Sequence, residues 1–236
     1  MSYKKSIARK EFEETVGVFI QQSKFADIKR NNIPHDVCQC VYRNAIFQTS
    51  AAIEEYLSSL LEDWIHLLHL HAKTLSDVPK ELIFWSAEKK QTDAFKNYLI
   101  NGDEDKFINA LCSIKGLEAH FNGGNHAKEV IFLKANISDR KYPSIKNINA
   151  LFKRFGISNI FREIHIKWKA DYKNLLESFS DIRTEIAHQH PAPDITFKDV
   201  RNNLINMTDL ISKIDRLTYS HIVRTSGSEC WKISRL

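Results

Sequence analysis

Apolar residues recur at helical spacing along almost the whole chain. Phe12, Val16, Phe19 and Ile20 fall on one face of a first predicted helix, which ends near Asn31-Asn32. Pro34 suits the opening turn of a second, and Val37, Val41, Ala45, Ile53, Leu57, Leu61, Trp64 and Leu68 carry it to about Lys73. Ser76-Asp77-Val78-Pro79 opens a third, which Asn101-Gly102-Asp103 breaks, and Phe107 to Leu117 predicts a short fourth. The stretch from Asn122 to Ile160 is the least regular. Gly123-Gly124-Asn125 is a loop, Val130 to Leu133 fits a helix or a short strand, and Pro143-Ser144 starts a helix that ends at Gly156. Trp168 to about Ala187 is the next helix, stopped by Pro191 and Pro193. Thr196-Phe197-Lys198-Asp199 forms a capping box with Asp in place of Glu, and a last long helix follows through Val200, Leu204, Met207, Ile211 and Ile214.

This pattern predicts an all-α chain with no internal repeat and no domain linker. One helical domain over residues 1–236, with an irregular insertion at about 122–160, is the economical arrangement. Composition agrees: 7 glycines and 5 prolines in 236 residues are too few for the many tight turns of a sandwich or barrel. Charged residues at 27% and hydrophobic ones at 43% exclude a disordered or fibrous chain. No stretch approaches the roughly 18 apolar residues of a membrane span. Four scattered cysteines cannot staple a chain of this length, so a reduced, cytoplasmic protein is expected. The net charge of +5 permits a polyanionic partner without demanding one.

Candidate chemistry narrows by elimination. His66, His69 and His71 do not share one helix face, and His35-x-x-Cys38-x-Cys40 has no second ligand pair at zinc-site spacing, so no metal is expected. The chain has neither a Walker loop, nor Gly-x-Gly-x-x-Gly, nor a Gly-x-Ser-x-Gly elbow, and no cofactor is expected. What remains is arginine close to histidine. A neutral imidazole takes the proton of a ribose 2′-hydroxyl, while a guanidinium holds the dianionic phosphorane that forms. Arg-x(4)-His occurs three times, at Arg30/His35, Arg183/His188 and Arg216/His221, where chance expects about 0.5. Pro34 splits the first pair, and the third lies at the expected frayed end of the last helix. The second closes an amphipathic helix, and there the histidine is expected to leave the last turn. Arg183 as a solvated helix-end charge and His188 as an ordinary helix-end histidine are the competing readings.

Three segments taken together resemble a known family. Phe179-Ser-Asp-Ile-Arg-Thr-Glu-Ile-Ala-His188 resembles the Arg-x(4–6)-His signature of HEPN domains. The run from Val41 to Leu57, with small residues before Glu54-Glu55-Tyr56, is similar to their first core helix. Tyr142-Pro-Ser-Ile-Lys-Asn-Ile148 looks like the Pro-Ser-x-x-Asn-Ile element of the RiboL-PSP branch. The resemblance covers about residues 35–220. It implies an all-helical, HEPN-like bundle that pairs as a homodimer with a composite active site. It also implies metal-independent cleavage of RNA, such as tRNA or mRNA, in phage defence or as a toxin with an antitoxin or defence-system partner. Carried onto this chain, His188 becomes the acid or base, Arg183 the phosphate stabiliser and Glu54 an orienting carboxylate. His190, where some toxins carry a tyrosine, becomes a second proton-transfer candidate. Thr184, where the family often has Asn or Asp, joins Lys146 and Asn147 as the expected RNA contacts. A non-catalytic module that binds RNA or a protein partner is the alternative. The basic run from Lys146 to Lys173, interleaved with Phe152, Phe155, Phe161, Trp168 and Tyr172, is either an RNA-tracking surface or a core with a solvated face.

Overall fold

A computed structural model describes residues 2–114, 142–189 and 193–234, with the side chains of 86–90 excepted. The described residues are α-helical, with short 3-10 turns and no strand. Eight helices follow in order: α1 (Ile7–Asp27), α2 (His35–Leu70), α3 (Lys80–Asn101), α4 (Glu104–Cys112), α5 (Ile145–Arg154), α6 (Ile160–Trp168), α7 (Tyr172–His188) and α8 (Phe197–Ser226).

Local chemistry sets many of the helix starts. Ser6, Asp103, Ser144, Asn159 and Asp171 each accept a hydrogen bond from a backbone N–H in the first turn of α1, α4, α5, α6 and α7. Thr196 and Asp199 cap α8 reciprocally, so the shorter acid performs the usual role of glutamate. Several boundaries differ from the sequence reading; the short fourth helix, for example, begins at Glu104 and ends at Cys112. The first helix stops at Asp27, and a 3-10 turn over Lys29–Asn31 leads to Asn32 in the left-handed region. The helix expected from Trp168 to about Ala187 is α7 and begins at Tyr172, while Trp168 ends a separate helix, α6, that the sequence reading did not contain. Lys169 turns left-handed at φ 57° and ends α6, and Asp171 then caps α7. The polar residues of α6 hid its short apolar stripe of Ile160, Phe161 and Ile164. Within the expected insertion, the helix predicted from Pro143-Ser144 to Gly156 is α5, while Gly123-Gly124-Asn125 and Val130 to Leu133 lie outside the described residues.

Three long helices form the frame. Ala26 meets Cys38 and Phe12 meets Tyr56, so α1 and α2 run antiparallel. Gln39 meets Ile195, Tyr56 meets Asp215 and Trp64 meets Ser226, so α2 and α8 run parallel. A continuous core of Ile46, Ile53, Leu61, Trp64, Phe152, Phe179, Leu204 and Ile211 fills the space between these helices and α5–α7. The α4 helix lies on α3, where Tyr98 stacks on Phe107 with ring centroids 4.9 Å apart.

Within this core sits a fully buried carboxylate. Asp215 accepts hydrogen bonds from the Tyr3 and Tyr56 hydroxyls and from the Ser6 hydroxyl and backbone N–H. Burial pushes its carboxyl above the ordinary value, against the pull of these donors and of Arg9. Asp215→Ala leaves four donors without an acceptor and is expected to cost about 3 kcal/mol, read from urea unfolding; a loss under 1 kcal/mol would refute this role.

His221 is buried too, and α8 continues past it to Ser226 rather than fraying there. Its Nε2 lies 2.9 Å from the Phe155 carbonyl, its Nδ1 lies 3.3 Å from Arg224 Nη2, and its ring meets Trp64 edge-on. The neutral ring satisfies both contacts: Nε2–H donates and Nδ1 accepts. Burial, and then the Arg224 charge, hold its pKa below the ordinary 6.5. The folded state therefore binds fewer protons than the unfolded state, and stability falls as pH drops below 6.5. The urea midpoint of wild type should decline more steeply from pH 7 to pH 5 than that of His221→Gln. Equal slopes would exclude the histidine as the cause.

Candidate functional site

The Arg183/His188 pair lies on the last turns of α7, and the structure corrects one expectation about it. The helix continues through His188, and the Gln189 N–H closes the last turn onto the Glu185 carbonyl at 2.9 Å. The two side chains therefore leave the helix about 140° apart, at roughly 100° per residue. Arg183 follows Phe179 and precedes Ile186 on the face turned to the core, and it is half-buried. His188 shares the solvent face with Thr184 and is exposed. Within one chain they do not meet.

Arg183 rests on two aromatic rings. Its guanidinium carbon is 5.5 Å from the centroid of Phe47 on α2 and 5.1 Å from that of Tyr142, just before α5. Its Nε is out of solvent and has no hydrogen-bond partner among the described residues. The motif Tyr142-Pro-Ser-Ile-Lys-Asn147 explains the position of the second ring. Ser144 caps α5, and its own N–H donates to the Tyr142 carbonyl at 2.9 Å. The Asn147 side-chain amide donates to the same carbonyl at 3.0 Å. Asn147 thus braces the site from behind, whereas Lys146 is exposed on the first turn of α5.

Helix α2 supplies the floor. Arg43, Phe47 and Glu54 fall on one stripe at spacings of four and seven residues. Glu54 is half-buried and stands two turns, about 10 Å, beyond Phe47. One turn earlier than Phe47, Arg43 donates to the Pro193 carbonyl at 3.3 Å and pairs with Asp194 at 3.7 Å. His35 also reaches Asp194, at 3.3 Å, and Gln39 exchanges two 3.0 Å hydrogen bonds with the backbone of Ile195. The end of the α7–α8 connection is thereby fastened to α2. His190 lies outside the described residues. Thr184 is exposed and returns its hydroxyl to the Ser180 carbonyl.

The other two arginine–histidine pairs separate on burial. Arg30 is exposed in a 3-10 turn, and Arg216 covers the ring of Tyr3 at 4.7 Å while His221 serves the core. Most of the aromatics between Lys146 and Lys173 are core: Phe152, Phe155, Phe161 and Tyr172 are buried. Arg154 is buried as well, with its guanidinium 3.8 Å from the Trp85 centroid. Among the described residues no group of three or more His, Cys, Asp or Glu is placed to hold a metal ion.

Sequence reasoning on residue types did not single out Phe47, Tyr142, Arg43, Gln39 or Asp194. Tyr142 and Phe47 stood inside the quoted motifs, and their aromatic character beside an unpaired arginine was the available signal. Arg43 and Gln39 share a helix face, but nothing local shows what that face holds.

An all-helical bundle with arginine and histidine at the end of a late helix is the architecture of HEPN domains. The chain matches the RiboL-PSP-HEPN family over residues 10–220 and belongs to it. No curated protein and no solved structure matches the chain. The match begins earlier than the expected residue 35 and so takes in α1, which packs along α2. Membership makes the protein a nuclease or RNA-related module. No helix among the described residues is long and apolar enough to cross a membrane.

The stability consequence of this geometry is direct. Among the described residues, Arg183→Ala removes two ring contacts and no hydrogen bond, so it is expected to cost no more than about 2 kcal/mol in urea unfolding. A cost as large as that of Asp215→Ala would make the arginine a core residue.

Proposed function

We propose that the protein is a metal-independent RNA endonuclease that acts as a homodimer, with one helical unit per copy. The observation that carries this reading is a half-buried Arg183 whose guanidinium has no acid or carbonyl partner among the described residues, on the same helix as an exposed His188. A cation and a titratable ring brought to one phosphate are what phosphodiester transesterification requires. The 140° offset means that one copy does not bring both groups to one phosphate. A two-fold pair of α7 ends sets His188 of one copy against Arg183 of the other.

In that cleft one imidazole removes the ribose 2′-hydroxyl proton. The 2′-oxygen attacks phosphorus, and the bond from phosphorus to the 5′-oxygen breaks. The second copy's imidazolium protonates the leaving oxygen, which gives a 2′,3′-cyclic phosphate and a free 5′-hydroxyl. Arg183 holds the charge on the phosphorane. Glu54, on the α2 stripe, orients the arginine or histidine across the cleft, and His190 is a second proton-transfer group. Thr184, Lys146 and Asn147 line the path of the RNA, a tRNA or an mRNA. The biological setting is phage defence or a toxin restrained by a cognate antitoxin or defence-system partner.

The test is cleavage of total cellular RNA in EDTA by wild type and His188→Ala, with the dimer checked by light scattering. Wild type should cut, and the variant should be slower by about 10²–10⁴-fold. Equal cutting by both, or loss of cutting in EDTA with rescue by a divalent metal, overturns the mechanism. Intact RNA from both, with salt-sensitive RNA binding, makes the protein a non-catalytic RNA-binding module.

A further inference from the structure

We infer that Tyr142 and Phe47 are positioning residues that hold Arg183 through ring contacts so that its terminal N–H groups and full charge remain available to a phosphate. This inference rests on the reading of Arg183 as the phosphate-binding group. Two other arginines of this chain are held by acids or carbonyls, while Arg154 and Arg216 also lie over rings, those of Trp85 and Tyr3. Arg9 donates to Glu13 at 2.7 Å, and Arg43 pairs with Asp194 and the Pro193 carbonyl. Arg183 has no such partner among the described residues, only the two rings.

The distinction matters chemically. A carboxylate at the guanidinium edge occupies the N–H groups and cancels the charge, and both losses weaken the grip on a phosphate. A ring near the guanidinium restrains it through dispersion and the quadrupole without occupying its terminal N–H groups. The bracket behind Tyr142 supports the same reading. Two hydrogen bonds converge on its carbonyl, from the Ser144 N–H and the Asn147 side chain. They fix the backbone of a residue whose side chain is otherwise at the surface. The Pro-Ser-x-x-Asn element thereby acquires a job: it aims the tyrosine ring at the arginine of another helix. Phe47 approaches from α2 and belongs to the stripe that bears Glu54.

The experiment compares wild type, Tyr142→Phe, Tyr142→Leu and Asn147→Ala. The first readout is the Arg183 side-chain Nε–Hε signal in a proton–nitrogen correlation spectrum, identified by its absence in Arg183→Lys. The second is steady-state cleavage of RNA in EDTA, with KM and kcat taken separately. Tyr142→Phe keeps the ring and should match wild type in both. Tyr142→Leu should move the signal toward that of an unstacked arginine and lower kcat by about 100-fold with little change in KM, the cost of a misplaced catalytic group. Asn147→Ala should shift both readouts in the same direction by less. An unmoved signal in Tyr142→Leu overturns the inference, as does a loss in Tyr142→Phe equal to that in Tyr142→Leu. If wild-type protein does not cut RNA, the nuclease reading fails, and the spectrum alone still decides whether the rings hold the arginine.

Discussion

One buried carboxylate joins the three helices on which everything else is mounted. Asp215 of α8 receives the Tyr3 hydroxyl and both Ser6 donors from the start of α1, and the Tyr56 hydroxyl from the middle of α2. Ser6 is also the cap of α1, so a single oxygen both starts a helix and docks it. Arg9 completes the cluster by donating to Tyr3 and Glu13. A charge taken out of water is tolerated only where donors replace the lost hydration, so the three helices have one register in which the carboxylate is satisfied.

That register places the candidate site. With α2 and α8 parallel, Gln39 and Arg43 fall opposite the chain that enters α8 and hold residues 193–195. The preceding helix, α7, then lies against α2 with Phe179 and Ile186 inward, and Arg183 between them reaches Phe47. The same constraint turns His188 outward. The chain uses its positive charges in contrasting ways: Arg154 is buried over Trp85, Arg9 is paired, and Arg183, at the edge of the core, has a donor without a partner among the described residues.

Much of the fold was legible because its signals are local. Apolar periodicity marked α1, α2, α3 and α8, and Thr196-Asp199 marked the start of α8 to the residue. The break at Lys169 was not legible, since a lysine in the left-handed region carries no sequence mark of the kind that glycine gives. Of the site, Arg183, His188 and the Tyr142–Asn147 element stood out by motif, while the aromatic contacts of Arg183 did not. They join residues on α2, before α5 and on α7, and no spacing rule links them.

Three arginine–histidine pairs of identical spacing make the division plain. The sequence by itself determined that the chain is helical, where most helices begin, and that a histidine follows an arginine by five residues in three places. Only the tertiary structure decided that His221 is a neutral core residue against Phe155 and Trp64, that Arg30 is merely exposed, and that Arg183 meets two rings with a donor left over. Periodicity and capping depend on neighbours within a turn or two, whereas desolvation and charge–ring contact depend on groups brought close only when the helices pack.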